Sequence, residues 1–211
     1  MNVDQLVQVI AQRGAAGRSI TAIAGAPGSG KSTLAGKLAN RLNELDPQSA
    51  AILPMDGFHF DDRVLEARGW RERKGAPYTF DLGGFRATLL RLRDNTEDEI
   101  ATPVFDRDLE IARAGARIIP RAARHVLVEG NYLLLDVPGW RDLRALFDTT
   151  VFVDVTEDER RRRLTARWRH HGLSEAEIER RVEGNDLPNG LEVIRKGSTA
   201  EFVLTEREAA G

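Results

Sequence analysis

Short runs of unbroken apolar residues alternate along the chain with stretches whose apolar positions recur every three or four residues. The runs lie at 20–24, 50–54, 126–128 and 150–155, and Val126-Leu127-Val128 and Val151-Phe152-Val153 are examples. A strand that is apolar without alternation is buried on both faces, and such strands separated by helices build a parallel sheet covered on each side. The pattern therefore predicts an α/β architecture of three layers, with a mainly parallel sheet and helices on both faces. Among the helical stretches, 1–13 places Val3, Leu6, Val7 and Ile10 on one face, and 32–45 spaces Leu34, Leu38, Leu42 and Leu45 in the same way. Another is predicted to start with Asp81 as N-cap and to run through Phe85, Leu89, Leu90 and Leu92. Residues 157–183 are dense in Arg and Glu and predict two exposed helices joined near His170-His171-Gly172, with Ser174 capping the second. The rest of 56–124 is rich in Gly, Pro and Arg and predicts mostly irregular backbone.

Composition narrows the function classes. At 211 residues and 41% hydrophobic content, the chain suits one domain with decoration, spanning 1–211. A formal net charge of -2 gives no reason to expect nucleic acid or an anionic membrane as partner, which leaves a small molecule as the default. There is no cysteine, so disulfides and thiol chemistry are excluded. The N-terminal stretch lacks the basic start and cleavage site of a signal peptide, and no apolar run reaches membrane-spanning length. A cytoplasmic location is the expectation. The amphipathic face of 1–13 is left with two roles, a contact in a homodimer or a cap on the sheet.

Candidate chemistry begins directly after the first apolar run. Gly25-Ala26-Pro27-Gly28-Ser29-Gly30-Lys31-Ser32 fits the phosphate-binding pattern GxxxxGK[ST], placed between a strand and a helix that begins with Thr33 and Leu34 close behind. The glycines let the backbone turn tightly and aim N–H groups inward, making an anion cradle at a helix N-terminus. Lys31 is then expected on the β- and γ-phosphates and Ser32 on Mg²⁺.

In open α/β sheets the ligand crevice lies at the carboxyl ends of the strands, so residues just past each run carry more weight. Asp56 follows the second run, where a carboxylate accepts a proton from an attacking hydroxyl, holds Mg²⁺ through water, or merely caps a turn. Glu129 ends the third run and suits the orientation of metal-bound water. Arg163, Arg167 and Arg169 lie close together in a segment, about 160–184, that reads as a mobile lid. Most arginines of 160–169 are expected on a solvated, salt-bridged face. The insert 56–124 is read as the acceptor side because long ordered loops are commonly functional, with Tyr78 and Asp106-Arg107 among its candidates. The four histidines show no metal-ligand spacing.

These motifs, in this order, resemble the uridine kinase, phosphoribulokinase and bacterial pantothenate kinase group. The resemblance runs from about residue 19 to about 205. Met55-Asp56-Gly57-Phe58-His59, Ala76-Pro77-Tyr78-Thr79-Phe80-Asp81, Pro103-Val104-Phe105-Asp106-Arg107 and Val128-Glu129-Gly130-Asn131-Tyr132 are most similar to bacterial fructose-transport-system kinases, which are fructokinase-like. The resemblance implies a P-loop NTPase fold with an Arg-rich lid, ATP and Mg²⁺ as cofactors, and transfer of the γ-phosphate to a hydroxyl of a small metabolite, a sugar such as fructose first. It implies Asp56 as catalytic base, Lys31 as phosphate clamp, Ser32 and Glu129 as Mg²⁺ positioners, and Arg163, Arg167 or Arg169 as lid arginines. His59, Asp106 and Arg107 are then expected to face the acceptor. Uridine kinases usually carry Tyr in place of His59, and the nucleoside-stacking aromatic of their Pro-x-Tyr-Asp motif is Phe105 here. Pantothenate or a nucleoside remains the alternative acceptor.

Another class is a P-loop ATPase that acts as a switch or motor. No Asn-Lys-x-Asp base-reading motif and no Leu-Ser-Gly-Gly signature occurs in the chain.

Overall fold

A computed structural model describes residues 1–210, so the last position of the expected 1–211 unit lies outside the described residues. Helix α1 (Val3–Arg13) is followed by β1 (Ser19–Ala24), α2 (Lys31–Leu45) and β2 (Ala50–Pro54). Next come α3 (Asp62–Ala67), α4 (Leu82–Asp94), β3 (Glu99–Asp106), β4 (Ile111–Pro120), β5 (His125–Gly130) and β6 (Thr149–Asp154). The chain then forms α5 (Glu157–His170), α6 (Glu175–Arg181), one π-helical turn (Val182–Asp186), α7 (Leu187–Lys196), β7 (Phe202–Thr205) and α8 (Glu206–Ala210).

The main sheet has the order β2-β5-β1-β6-β7 and every pairing in it is parallel. The six residues of β1 and of β5 are all buried, as strands covered on both faces require. On one face, α1 and α2 press Leu6, Ile10, Leu34, Leu38 and Leu42 onto Ile23, Leu127 and Val151. On the other, Phe85, Leu89 and Leu92 of α4 join Tyr132, Trp140 and Phe147 over Ile20, Val126 and Val128. The fold is thus the three-layer α/β arrangement that the apolar runs predict.

Val3, Leu6, Val7 and Ile10 of α1 are buried in this chain's own core, so that face caps the sheet and is not presented to a second copy. Asn2 and Gln5 close a capping box at its start. Asp81 accepts from the Gly84 amide and caps α4, and Ser174 with Glu177 forms a capping box on α6. One leucine departs from expectation: Leu45, the last residue of α2, is 68% exposed.

The larger correction concerns the insert. Its second half is a long antiparallel hairpin, β3 paired with β4, where irregular backbone is predicted. Pro103 and a register shift between Thr102 and Val104 break the alternation of β3, and β4 is mostly exposed, with Ala, Gly and Arg filling 112–117 between Ile111 and Ile118, so neither strand shows an apolar period. The short edge strand β7 also has no counterpart among the predicted runs.

The hairpin crosses close over the segment that follows β2. A methyl group on Gly57 would collide with the Pro103 carbonyl, a backbone atom that cannot turn aside. Gly57→Ala is therefore expected to lower stability by about 1–3 kcal/mol, the usual cost of overpacking, read as a fall in the thermal midpoint.

Candidate active site

The strand order places the site. β1 lies beside β5 and β5 beside β2, so three segments distant in sequence end side by side. The register aligns Glu129 with Ile23 on one side and with Pro54 on the other, which sets the glycine-rich loop, Glu129 and Asp56 at one level along the carboxyl edge of the sheet. This is the crevice position of open α/β sheets.

Gly28 and Gly30 adopt φ of 80° and 90°, and α2 begins at Lys31 directly after Gly30. Side chains other than glycine rarely take that backbone, and the turn it makes presents the first amides of α2, which have no intrahelical acceptor. Arg163 donates from Nη1 to the carbonyls of Ser29 at 3.2 Å and Gly28 at 3.4 Å. Because C=O and N–H of one planar trans peptide point opposite ways, holding the Ser29 carbonyl outward turns the Gly30 amide inward. Gly25, Ala26, Pro27, Gly28, Ser29, Gly30 and Lys31 together form the arc between β1 and α2, with Ser32 and Thr33 in the first turn of the helix.

A cavity of about 730 Å³ opens beside this arc, lined among others by Pro27, Lys31, Asp56, His59, Phe105, Arg107 and Arg167. Burial lowers the Lys31 ammonium below its ordinary value, and the nearby carboxylates of Glu129 and Asp56 oppose that. Burial pushes in the raising direction at Asp56, but Arg107, His59, Lys31 and Arg167 outweigh it and hold the carboxyl below the usual carboxylate range. Glu129 moves the other way, raised first by burial and then by Asp56. The two carboxyls therefore sit on opposite sides of their ordinary values, Asp56 as the stable anion.

The Ser32 hydroxyl donates to Glu129 Oε2 at 3.0 Å. A hydroxyl and carboxylates are hard oxygen donors, and a site with few protein ligands next to a phosphate cradle suits an octahedral divalent cation that takes its remaining ligands from phosphate and water. No group of three or more His, Cys, Asp or Glu able to hold a metal by itself occurs among the described residues.

His59 lies against Phe80 with ring centroids 4.0 Å apart and against Phe105 at 4.9 Å, and its ring nitrogen Nδ1 is 2.8 Å from the Asp56 carbonyl. Burial lowers its pKa, and the carboxylate and backbone carbonyl of Asp56 pull the other way. Arg107 reaches across from the hairpin tip and donates from Nη2 to Asp56 Oδ2 at 2.6 Å.

Other predicted residues fall outside the cavity. Tyr78 is 48% exposed and packs edge-on against Trp70. Asp106 shapes the hairpin tip, accepting from the amides of Asp108 and Leu109 and from Arg113.

The three lid arginines separate. Arg167 projects into the cavity, where solvent reaches it, and makes no hydrogen bond or ion pair with another described side chain. Its charge faces the Arg107 guanidinium as well as the carboxylates of Asp186, Asp56 and Glu129. Arg163 braces the glycine-rich loop from outside and is paired with Glu159 and Glu206. Arg169 points away and forms a double hydrogen bond to Glu175. Arg169→Ala is accordingly expected to leave both turnover and the thermal midpoint at wild-type values, in a steady-state assay and a melt run side by side. Arg160, expected on the solvated face, is instead 2% exposed, wedged between Ala26 of the loop and Gly190, with one guanidinium nitrogen unpartnered.

The far wall holds groups that the motifs do not flag. The π-helical turn and the start of α7 bring Asn185, Asp186 and Asn189 to the cavity. Asp186 accepts from Trp168 Nε1 at 2.7 Å, and Asn185 donates to the Lys74 carbonyl at 2.8 Å, tying this wall to the insert. Asn131, just past β5, lines the cavity with its side-chain oxygen buried and unpartnered. A one-residue widening of a helix is a common mark of a functional segment, but it leaves no periodic trace in sequence.

Residues 20–183 match the profile of the Phosphoribulokinase / Uridine kinase family. A Schizosaccharomyces pombe protein provisionally named uridine kinase C227.14 is 33% identical over 196 residues, covering 90% of this chain and 83% of that protein. The ATP-dependent kinase YFH7 of Lachancea thermotolerans is 31% identical over 205 residues, covering 76% of this chain and 58% of its own length. Among solved structures, a Silicibacter sp. TM1040 protein provisionally named a fructose transport system kinase superposes with a TM-score of 0.89 at 41% identity, covering 97% of this chain and 99% of that one. No helix among the described residues is long and apolar enough to cross a membrane.

Proposed function

The chain belongs to the phosphoribulokinase/uridine kinase family, and from that premise we propose that it moves the γ-phosphate of ATP onto a hydroxyl of a small polyhydroxylated metabolite, a sugar such as fructose being the first candidate. The observation that carries this reading is the convergence of Asp56, Lys31 and Arg167 on one cavity beside the glycine-rich loop. In the reaction, Asp56 takes the proton of the acceptor hydroxyl as its oxygen attacks the phosphorus in line. Lys31 and Arg167 spread the charge of the transferring group, which is where most of the rate gain in phosphoryl transfer arises. Ser32 and Glu129 are the residues that would hold Mg²⁺, which would supply positive charge against the phosphate oxygens. Arg163 acts on the loop backbone and keeps the Gly30 amide turned toward the phosphates.

Support for a sugar comes from the cavity wall. Asn131, Asn185, Asp186 and Asn189 offer amide and carboxylate groups suited to several hydroxyls. The Phe105 ring is packed by a tilted His59 and lies under the Lys74 ammonium, which weighs against a base stacked on it. The 41% identical Silicibacter protein has fructose in its name.

The test is ADP release from Mg²⁺-ATP against sugars, glycerate, pantothenate and ribosides, with mass detection of the product. A single sugar that raises turnover at least about tenfold, worth about 1.4 kcal/mol in the barrier, and gains a phosphate supports the reading. Stimulation by pantothenate or a riboside alone would replace the sugar, and hydrolysis indifferent to every acceptor would point to a switch or motor ATPase.

A further inference from the structure

Any enzyme that holds ATP beside a base in a solvent-filled cavity faces a competing reaction, because water is also a hydroxylic nucleophile. Asp56 and Lys31 both line a cavity open to solvent, and nothing in their positions distinguishes a water from an acceptor. What does distinguish the two is Arg107. Its Nη2 donates to Asp56 Oδ2 at 2.6 Å, so a carboxylate oxygen that would accept the proton is already engaged.

The arrangement is built to place that guanidinium. Arg107 stands at the tip of the hairpin, one residue beyond β3. Asp106 fixes the tip by accepting two backbone amides, and Glu110 closes it in the left-handed conformation at φ 56°. Lys74 hydrogen-bonds the Glu110 carbonyl at 2.6 Å and Asp62 at 2.7 Å, and its ammonium sits over the Phe105 ring, anchoring the tip to α3. The backbone of the tip is held, whereas the Arg107 side chain is 40% exposed, and an ion pair that solvent reaches is weak and readily exchanged.

We propose that Arg107 is a positioning residue that occupies Asp56 until an acceptor is seated, so that the base serves the acceptor and not water. An acceptor hydroxyl entering between His59, Phe105 and Asp56 takes over the carboxylate oxygen, and the guanidinium turns to other acceptor oxygens. The inference rests on the phosphotransferase reading and adds to it the means by which ATP is spared when the acceptor is absent.

Removal of Arg107 then opens a specific side reaction. The oxygen of a water molecule bonds to the γ-phosphorus as the bond to the β,γ-bridging oxygen breaks. The water proton passes to Asp56 and from there to solvent, and ADP and inorganic phosphate leave.

The experiment measures phosphate release from Mg²⁺-ATP with no acceptor present, in wild type, Arg107→Met, Arg107→Lys and Arg107→Met with Asp56→Asn. Binding of ATP is checked separately by calorimetry. Hydrolysis is expected to rise at least about tenfold in Arg107→Met, to stay within about threefold of wild type in Arg107→Lys, and to return to the wild-type rate in the double variant. Arg107→Met that binds ATP but hydrolyses no faster overturns the proposal, and so does a rise that survives loss of Asp56. Failure of wild type and variants to bind ATP overturns the phosphotransferase reading along with it. Failure of every acceptor in the panel, with the Arg107→Met rise intact, counts against the acceptor assignment alone. Because Arg107 is exposed on a tip held by other residues, the variant is expected to melt as wild type does, which the same samples report.

Discussion

Asp56→Asn will lower the rate of phosphoryl transfer by about 10²- to 10⁴-fold, the range that a positioned general base contributes. The amide is nearly the same size as the carboxylate, so packing against His59 and the hairpin is kept while the proton acceptor is lost. Affinity for ATP should change little, because on the proposed reading the phosphates belong to the glycine-rich loop and Lys31 and not to Asp56. Single-turnover transfer and calorimetric ATP binding on the same preparation separate the two effects. A variant that loses ATP binding and transfer together would assign Asp56 to nucleotide or metal binding and remove it as the base.

Lys31→Met has the second large effect, and its signature differs. Methionine preserves the apolar stem and roughly the length, but the charge that faces Glu129 and Asp56 is gone. Loss of one donor preorganised toward developing charge costs about 10²- to 10³-fold in turnover. On the proposed reading ATP affinity falls too, since the ammonium would face bound phosphates before and during transfer. Both carboxyls also lose a neighbouring cation, which moves their pKa values upward, so the acidic limb of activity should shift to higher pH than in wild type. A pH-rate profile of the residual activity checks the direction, and an unshifted limb would mean that Lys31 does not set the charge of the site.

The parts of this site that were legible in sequence are those specified by neighbours along the chain. The glycine-rich loop needs its glycines, lysine and serine at fixed offsets, and a strand before and a helix after, all within about thirty residues. Asp56 and Glu129 could be selected because buried parallel strands end abruptly and ligands gather at that edge. Strand order was not legible. Nothing in residues 19–24 shows that β1 will lie between β5 and β6, and it is this order that sets Asp56 and Glu129 beside the loop.

The arginines of α5 show a different failure. Composition presents them as equivalent, yet Leu164 and Trp168 mark the buried face of the helix. At about 100° per residue, Arg160 and Arg167 lie roughly 20° apart on the flank of that face, whereas Arg163 and Arg169 each lie roughly 120° from its middle, on opposite sides. The signal was present and was obscured by the density of charge. The hairpin and the π-helical turn had no such signal. β4 exposes most of its residues, and Asn185 and Asn189 acquire their place from contacts with an insert more than a hundred residues earlier in the chain.

The order of strands bears on how the protein comes into being as well as on what it does. β1 carries the phosphate loop, yet neither of its sheet partners precedes it: Ser19 pairs with His125, and Thr21 with Thr149. While the ribosome is still making the first 124 residues, the loop motif is complete in sequence but its strand has no neighbour to lie against. Contacts so distant along the chain are the slow ones in folding, since each must close a long loop before it is rewarded. Grip on phosphate is therefore a late property of the nascent chain, acquired when β5 and β6 flank β1, and the same closure that completes the sheet brings Glu129 to Ser32.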